Sequence, residues 1–125
     1  GRPDLLAKLA AFGSNPLLAA GLASLRDPGL VPERRRANAL VRDQTIAWLQ
    51  ARGYPCLPSQ ANCFMVDVGT DGREFAAAMA GHGVLIGRSW PVWPSRVRVT
   101  VGTGEEMARF REVFALLAPA RAAAA

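Results

Sequence analysis

The sequence predicts an α+β domain: a small, mostly antiparallel or mixed sheet covered by helices on one side and preceded by a helical connection. Three observations predict it. Apolar residues recur at helical spacing as far as Arg52, the period then shortens to that of strands, and helix-start signals return at Asp71 and Thr103. Three helices followed by β-β-α-β-β-α is an order that a small sheet with helices on one face satisfies.

The first helix is expected over Arg2 to Phe12, where Leu5, Leu6 and Leu9 share a face, Pro3 is tolerated in the first turn and Gly13 ends the run. Ser14-Asn15-Pro16 is a compact start for the second, with a capping side chain followed by proline at the first helical position. That helix runs to about Leu25 and breaks at Asp27-Pro28-Gly29, the best boundary in the chain. A longer helix begins near Val31, carries Pro32 and Glu33 in its first turn and persists to Arg52, with Gly53 as its C-terminal stop. At 1.5 Å per residue it measures roughly 33 Å. Ala37, Leu40, Val41, Trp48 and Leu49 form its expected apolar stripe, interrupted by Gln44 and Thr45.

After Gly53, Tyr54 to Leu57 reads as a short strand between prolines, and Cys63 to Val68 as a nearly continuous apolar strand. Asp71 with Glu74 caps a helix holding Phe75 and Met79 and ending at Gly81-His82-Gly83. Val84-Leu85-Ile86 reads as a strand. Val97, Val99 and Val101 alternate with Arg96, Arg98 and Thr100, the period of a strand with one buried face. Thr103 and Glu106 make a capping box for a last helix whose core stripe is Met107, Phe110, Val113, Phe114 and Leu117. There is no internal repeat.

Composition narrows the function. Half of the 125 residues are hydrophobic, enough for a packed core, and the net charge is +5. Lys8 is the single lysine, so the charge comes from arginine. A basic balance permits nucleic-acid or acidic-ligand binding, but the arginines are scattered apart from Arg34-Arg35-Arg36, which Glu33 and Asp43 accompany as on a solvated helix face. Nucleic acid is therefore not expected as a partner. Cys56 and Cys63 make neither a disulfide scaffold nor a metal site and read as free thiols in a reducing compartment. Without a signal-peptide pattern or an apolar run near the ~20 residues that span a bilayer, the expectation is a cytoplasmic protein with no membrane contact.

No complete catalytic centre is apparent. Arg98 sits mid-strand on a fixed backbone, and its guanidinium fork suits a carboxylate. From alternation alone the favoured reading is an arginine on the wet face of an edge strand, since solvated strand faces are common. Arg88 precedes Ser89-Trp90-Pro91-Val92-Trp93-Pro94, a stiff aromatic loop that could line a pocket, form an oligomer interface or simply pack over the sheet edge. Asn62 enters the central strand, where it could orient a ligand or satisfy its own turn. His82 lacks a partner at metal spacing and reads as a solvent-facing cap. Lys8, the sole Schiff-base candidate, reads as the wet side of an amphipathic helix. A glycine-rich phosphate loop and a Ser/His/Asp set are both missing. On these residues alone, a stand-alone domain that binds an acidic metabolite is an open alternative to an enzyme fragment, as is an oligomerisation domain using the Trp90 and Trp93 loop.

Several segments, in order through nearly the whole chain, resemble one family. They are Gly1-Arg2-Pro3-Asp4-Leu5-Leu6, Pro58-Ser59-Gln60-Ala61-Asn62, Gly83-Val84-Leu85-Ile86-Gly87-Arg88, and Arg98-Val99-Thr100-Val101-Gly102-Thr103 followed by Glu105-Glu106-Met107. The chain resembles the C-terminal part of fold-type I pyridoxal-phosphate aminotransferases, nearest to the histidinol-phosphate aminotransferase-like branch. The resemblance implies that residues 1–29 are the helical tail of the large cofactor domain and the connection from it. It implies that 30–120 are the small domain and 121–125 a disordered alanine-rich tail. It assigns Arg98 to the substrate α-carboxylate and Arg88 to the neighbourhood of the substrate side chain, with Asn62 and Trp90 as further substrate-binding residues. Cys63 stands where phenylalanine is more common, and the Trp90 to Pro94 loop departs from the family pattern. The implied activity is amino-group transfer between an amino acid, histidinol-phosphate-like or aromatic, and a 2-oxo acid. The lysine bearing pyridoxal 5'-phosphate is implied to lie upstream of Gly1, so the fragment alone would be inactive and carry no catalytic or cofactor-binding residue. The implied partners are the chain's own large domain and a second copy in a homodimer.

Overall fold

The computed structural model describes residues 16–120. The expected Arg2 to Phe12 helix, the Ser14-Asn15 cap and the 121–125 tail lie outside the described residues. The chain divides into two compact units, residues 1–35 and 36–125. In the first unit, helix α1 spans Pro16–Arg26 with proline at its first position. The expected Asp27-Pro28-Gly29 break is built by Asp27, whose Oδ1 accepts from Gly29 N at 2.9 Å and whose carbonyl accepts from Leu30 N at 3.4 Å. Helix α2 begins there and spans Leu30–Ala51.

Within the second unit α2 ends in a Schellman motif. Gly53 adopts φ 80°, Gly53 N donates to the Gln50 carbonyl at 2.9 Å, and Tyr54 N donates to that of Leu49 at 3.0 Å. The buried stripe of α2 differs from the expected one. Leu40 is 60 % exposed and Ala37 is exposed, whereas Arg42, Thr45 and Leu49 are buried. Thr45 stands at the middle of the stripe because its hydroxyl finds an acceptor within the helix, the Val41 carbonyl at 2.8 Å, and so can be buried without an unmet polar group.

Strand β1 is Cys63–Asp67, helix α3 Gly72–Gly81, strand β2 Arg96–Thr100 and helix α4 Gly104–Leu117. The two strands pair antiparallel with Met65 opposite Arg98 and Val66 opposite Val97. Single bonds prolong the ladder at both ends, from Val101 N to the Asn62 carbonyl at 2.8 Å and from Val68 N to that of Ser95 at 2.9 Å.

Two of the expected strands are not strands. Tyr54 to Leu57 touches β1 only through the bridge of Cys56 with Val66, by way of Leu57 N to Met65 O and Asp67 N to Pro55 O. Pro55 and Pro58 have no N–H to give, so the ladder stops after one bridge. Val84 to Ile86 lies beside β2 but joins it only where Gly87 N donates to the Arg98 carbonyl at 2.8 Å. The Val84 N–H is already used: it donates to Met79 O at 3.1 Å, closing a second Schellman motif around Gly83 at φ 78°. The α+β class holds, with a two-stranded sheet at its centre flanked by two extended segments.

The helix starts follow the sequence closely. Asp71 accepts from Arg73 N and Glu74 N, and Thr103 and Glu106 form the complete reciprocal capping box. One face of the ladder, Phe64, Val66, Val97 and Val99, is buried against Met79, Met107, Phe110 and Phe114. Phe114 is fully buried, and rings surround it: Tyr54 at 4.9 Å, Phe75 at 5.2 Å, Phe110 at 5.5 Å and Trp48 at 6.1 Å between centroids. The Tyr54 hydroxyl then donates to the Pro119 carbonyl at 2.8 Å, tying the end of the described chain to the turn after α2. Because Phe114 is shared by α2, α3, α4 and that turn, Phe114→Ala is expected to cost about 3–5 kcal/mol, read as a lowered urea midpoint with an unchanged denaturant slope.

Candidate functional site

Period-two geometry sends the other side chains of the ladder to the face away from the helices. Cys63, Met65 and Asp67 of β1 stand there opposite Thr100, Arg98 and Arg96 of β2. Arg98 is half-buried on this face, and its Nε is buried with no hydrogen-bond partner. A buried donor left unmet costs free energy, and a guanidinium is a strong donor, so this atom favours an acceptor arriving from outside the described residues.

Gly87 makes room for it. A Cβ at Gly87 would stand 2.7 Å from the Arg98 carbonyl oxygen and 3.2 Å from both Arg98 Cβ and Nε. The missing side chain lets the edge segment approach β2 and lets the arginine fold against that segment. Arg88 is the next residue of that segment. The Arg88 guanidinium is exposed and lies 5.7 Å from the centroid of Trp90.

The aromatic loop is a tight turn. Trp93 N donates to the Trp90 carbonyl at 2.9 Å, with Pro91 and Val92 between, and Val92 is 75 % exposed. Arg96 lies 5.4 Å from the Trp93 centroid and reaches Asp67 at 3.8 Å. Helix α3 presses on the loop from behind: Gly72 N donates to the Pro94 carbonyl at 2.7 Å, and a Cβ at Gly72 would come within 3.1 Å of Ser89 Cβ. Arg88 and Trp90 thus sit on the segment that Gly87 joins to β2 at Arg98. Asn62 is set apart. It is exposed, joins β2 through its carbonyl, and stands three residues along β1 from the partner of Arg98, about 10 Å.

Sequence reasoning assigned no role to Gly87 or to Arg42. Arg42 is only 6 % exposed, and from α2 its Nη1 donates to the Ala61 carbonyl at 3.2 Å. The signal in the sequence was faint, an arginine at the helical spacing of a buried stripe. His82 is exposed and acts as the cap of α3, with its carbonyl accepting from Arg109 at 3.3 Å. A cavity of about 550 Å³ lies elsewhere, between the 83–86 segment and α4, and none of Asn62, Arg88, Trp90 and Arg98 lines it. Among the described residues no cluster of three or more His, Cys, Asp or Glu could hold a metal, and no helix is long and apolar enough to cross a membrane.

Comparison with known proteins gives this arginine face its context. The profile of aminotransferase class I and II matches residues 4–114. The chain belongs to the class I and II aminotransferase family. Over 120 residues it is 38 % identical to a histidinol-phosphate aminotransferase of Symbiobacterium thermophilum, a match covering 89 % of this chain and 32 % of that protein. It is 36 % identical over 92 residues to an aromatic amino acid aminotransferase of Nocardia farcinica, covering 74 % of this chain and 25 % of that one. A crystal structure of a candidate histidinol-phosphate aminotransferase from Erwinia carotovora atroseptica superposes with a TM-score of 0.73 at 28 % identity, over 78 % of this chain and 28 % of that chain. The chain therefore spans about a third of the length of the curated relatives it matches.

Two outcomes are expected from this geometry. Gly87→Val overpacks the contact with Arg98 and should destabilise the protein by about 1–3 kcal/mol, measured by chemical denaturation. Burial pushes the Cys56 thiol up from 9.0 to about 12. In a Cys63→Ser background its alkylation by iodoacetamide should be slow at pH 8 and keep rising with pH well beyond 10, whereas in urea the rate should be half-maximal near pH 9 and level off above it. Since the folded thiol titrates above the unfolded one, the stability linked to it is present below about pH 9 and falls as pH rises toward 12.

Proposed function

We propose that this chain is the C-terminal part of a pyridoxal-phosphate-dependent aminotransferase, with residues 30–120 forming its small domain and 1–29 the connection from the large one. In this reading Arg98 binds the α-carboxylate of the amino-acid or 2-oxo-acid substrate. One observation carries the assignment: a half-buried arginine, fixed mid-strand, with a buried Nε that has no partner. A bidentate carboxylate supplies acceptors for such a fork in a way that water at a crowded sheet edge does not. Arg88 and Trp90 then border the substrate side chain, for which the names of the relatives suggest a histidinol-phosphate-like or aromatic class. A cytoplasmic homodimer is part of the same proposal.

No lysine lies among the described residues, and Lys8, the single lysine of the chain, is outside them. The residues described thus do not fit the task of carrying pyridoxal phosphate, and the proposal gives that task to the remainder of the complete enzyme. When bound there, the cofactor supplies the electron sink for the chemistry at the substrate Cα. This chain contributes binding and orientation. A carboxylate gripped at Arg98 fixes one end of the substrate, and the Trp90 turn limits how the other end lies, so the Cα–H bond is presented in one direction.

The test is substitution in the complete enzyme. Arg98→Ala should raise KM for L-phenylalanine, an amino donor that carries an α-carboxylate, by about 10²-fold, corresponding to one charged bidentate contact of about 3 kcal/mol. Arg98→Lys should recover only part of the loss, because an ammonium lacks the fork. Affinity for pyridoxal phosphate, read from its absorbance on titration, should stay within about twofold. Loss of cofactor affinity with unchanged substrate KM would remove Arg98 from this role.

A further inference from the structure

We infer that Asp67 is a specificity-determining residue: by holding Arg96 in an ion pair beside Arg98, it disfavours substrates whose side chain ends in a second carboxylate and favours those whose side chain is uncharged. The inference rests on the reading of Arg98 as the grip for the substrate α-carboxylate.

The register settles which groups share that face. Asp67 stands opposite Arg96 and Met65 opposite Arg98, and the strand period sends all four side chains away from the helices. Arg96 and Arg98 are two residues apart on one strand, which separates their Cα atoms by about 6.6 Å. Two uncompensated guanidinium groups at that spacing would suit a short dicarboxylate, with one fork for each end. Only one of the two is uncompensated. Among the described residues Arg98 has no acidic partner, whereas Arg96 Nε reaches Asp67 Oδ2 at 3.8 Å. The side chains of that pair are 32 % and 29 % exposed, so water screens the pairing only in part.

Both members are held from behind. Asp67 Oδ1 accepts from Gly69 N at 2.9 Å, so the turn that ends β1 fixes the carboxylate through one oxygen and leaves the other to Arg96. Arg96 N donates to the Trp93 carbonyl at 3.1 Å, and its guanidinium lies 5.4 Å from the centroid of the Trp93 ring. The same turn carries Trp90, whose carbonyl accepts from Trp93 N at 2.9 Å. A substrate gripped at Arg98 with its side chain against the Trp90 turn therefore extends toward the Arg96 end of β2. There it meets an indole and a neutralised ion pair. An uncharged or aromatic side chain gives up little on such a surface. A second carboxylate must either displace Asp67 from Arg96 or lie beside a like charge, and repulsion of that kind is how a site rejects a competitor.

The experiment measures competitive inhibition of L-phenylalanine turnover in the complete enzyme by glutarate, a dicarboxylate, and by 3-phenylpropionate, a monocarboxylate with an uncharged tail. Asp67→Asn keeps an oxygen for Gly69 N and removes the charge. The ratio of inhibition constants, glutarate over 3-phenylpropionate, is expected to fall about tenfold in Asp67→Asn, the low end of what a hydrogen bond to a charged group contributes. Adding Arg96→Met should return the ratio at least to its wild-type value. Arg96→Met alone leaves Asp67 uncompensated and should raise the ratio, and it carries the test if the melting curve shows that Asp67→Asn does not fold. An unchanged ratio in either single variant, or a fall that survives Arg96→Met, would overturn the inference and leave the role of Arg98 intact. A wild-type enzyme that neither turns over L-phenylalanine nor binds either acid would overturn the functional reading and the inference with it.

Discussion

Burial of Phe64, Val66, Val97 and Val99 on the Phe114 ring cluster is the constraint from which the rest of the second unit follows. A two-stranded ladder is marginal in water by itself. It is stable here because one whole face is taken out of water by α3, α4 and the end of α2, with each fully buried side chain contributing about 1.5–3 kcal/mol of transfer free energy. Once that face is chosen, the register leaves no freedom for the other. Met65, Asp67, Arg96 and Arg98 must stand opposite the helices, because a shift of one residue would exchange valines for arginines in the core.

The site inherits its rigidity from this arrangement. Arg98 is carried by a strand whose valines are buried in the core, so its backbone moves only if the core moves. Its neighbours are brought up by close backbone approach, which glycine permits: Gly87 lets the edge segment lie against Arg98, and Gly72 lets the start of α3 bear on the aromatic turn. Arg42 extends the same logic across the sheet, from the buried stripe of α2 to the entrance of β1. These side chains are therefore supported from both helical elements and strands, which is where accurate placement is most easily maintained.

The chain belongs to the class I and II aminotransferase family and matches about a third of the length of its relatives, and its single lysine lies outside the described residues.

Local signals were enough for the helices among the described residues and for the central pair of strands. Capping at Asp71 and Thr103, the glycine stops at Gly53 and Gly83, and the valine–arginine alternation of residues 96–101 each act within a few residues, and each appears in the structure as read. The α+β class and the strand position of Arg98 were legible for the same reason. What only the tertiary structure decided involves partners distant in sequence. Residues 54–57 and 84–86 have the composition of strands, but their donors are absent at Pro55 and Pro58 or taken by Met79, so neither extends the ladder. Thr45 and Arg42, polar by composition, are buried because acceptors at Val41 and Ala61 meet them there, while Leu40 points to water. The orphaned Nε of Arg98 and the space that Gly87 leaves for it depend on two segments meeting edge to edge. Period and capping are properties of neighbouring residues, and a sequence carries them openly; burial of a charge and the closeness of two backbones depend on which distant segments pack together, and only the folded chain settles that.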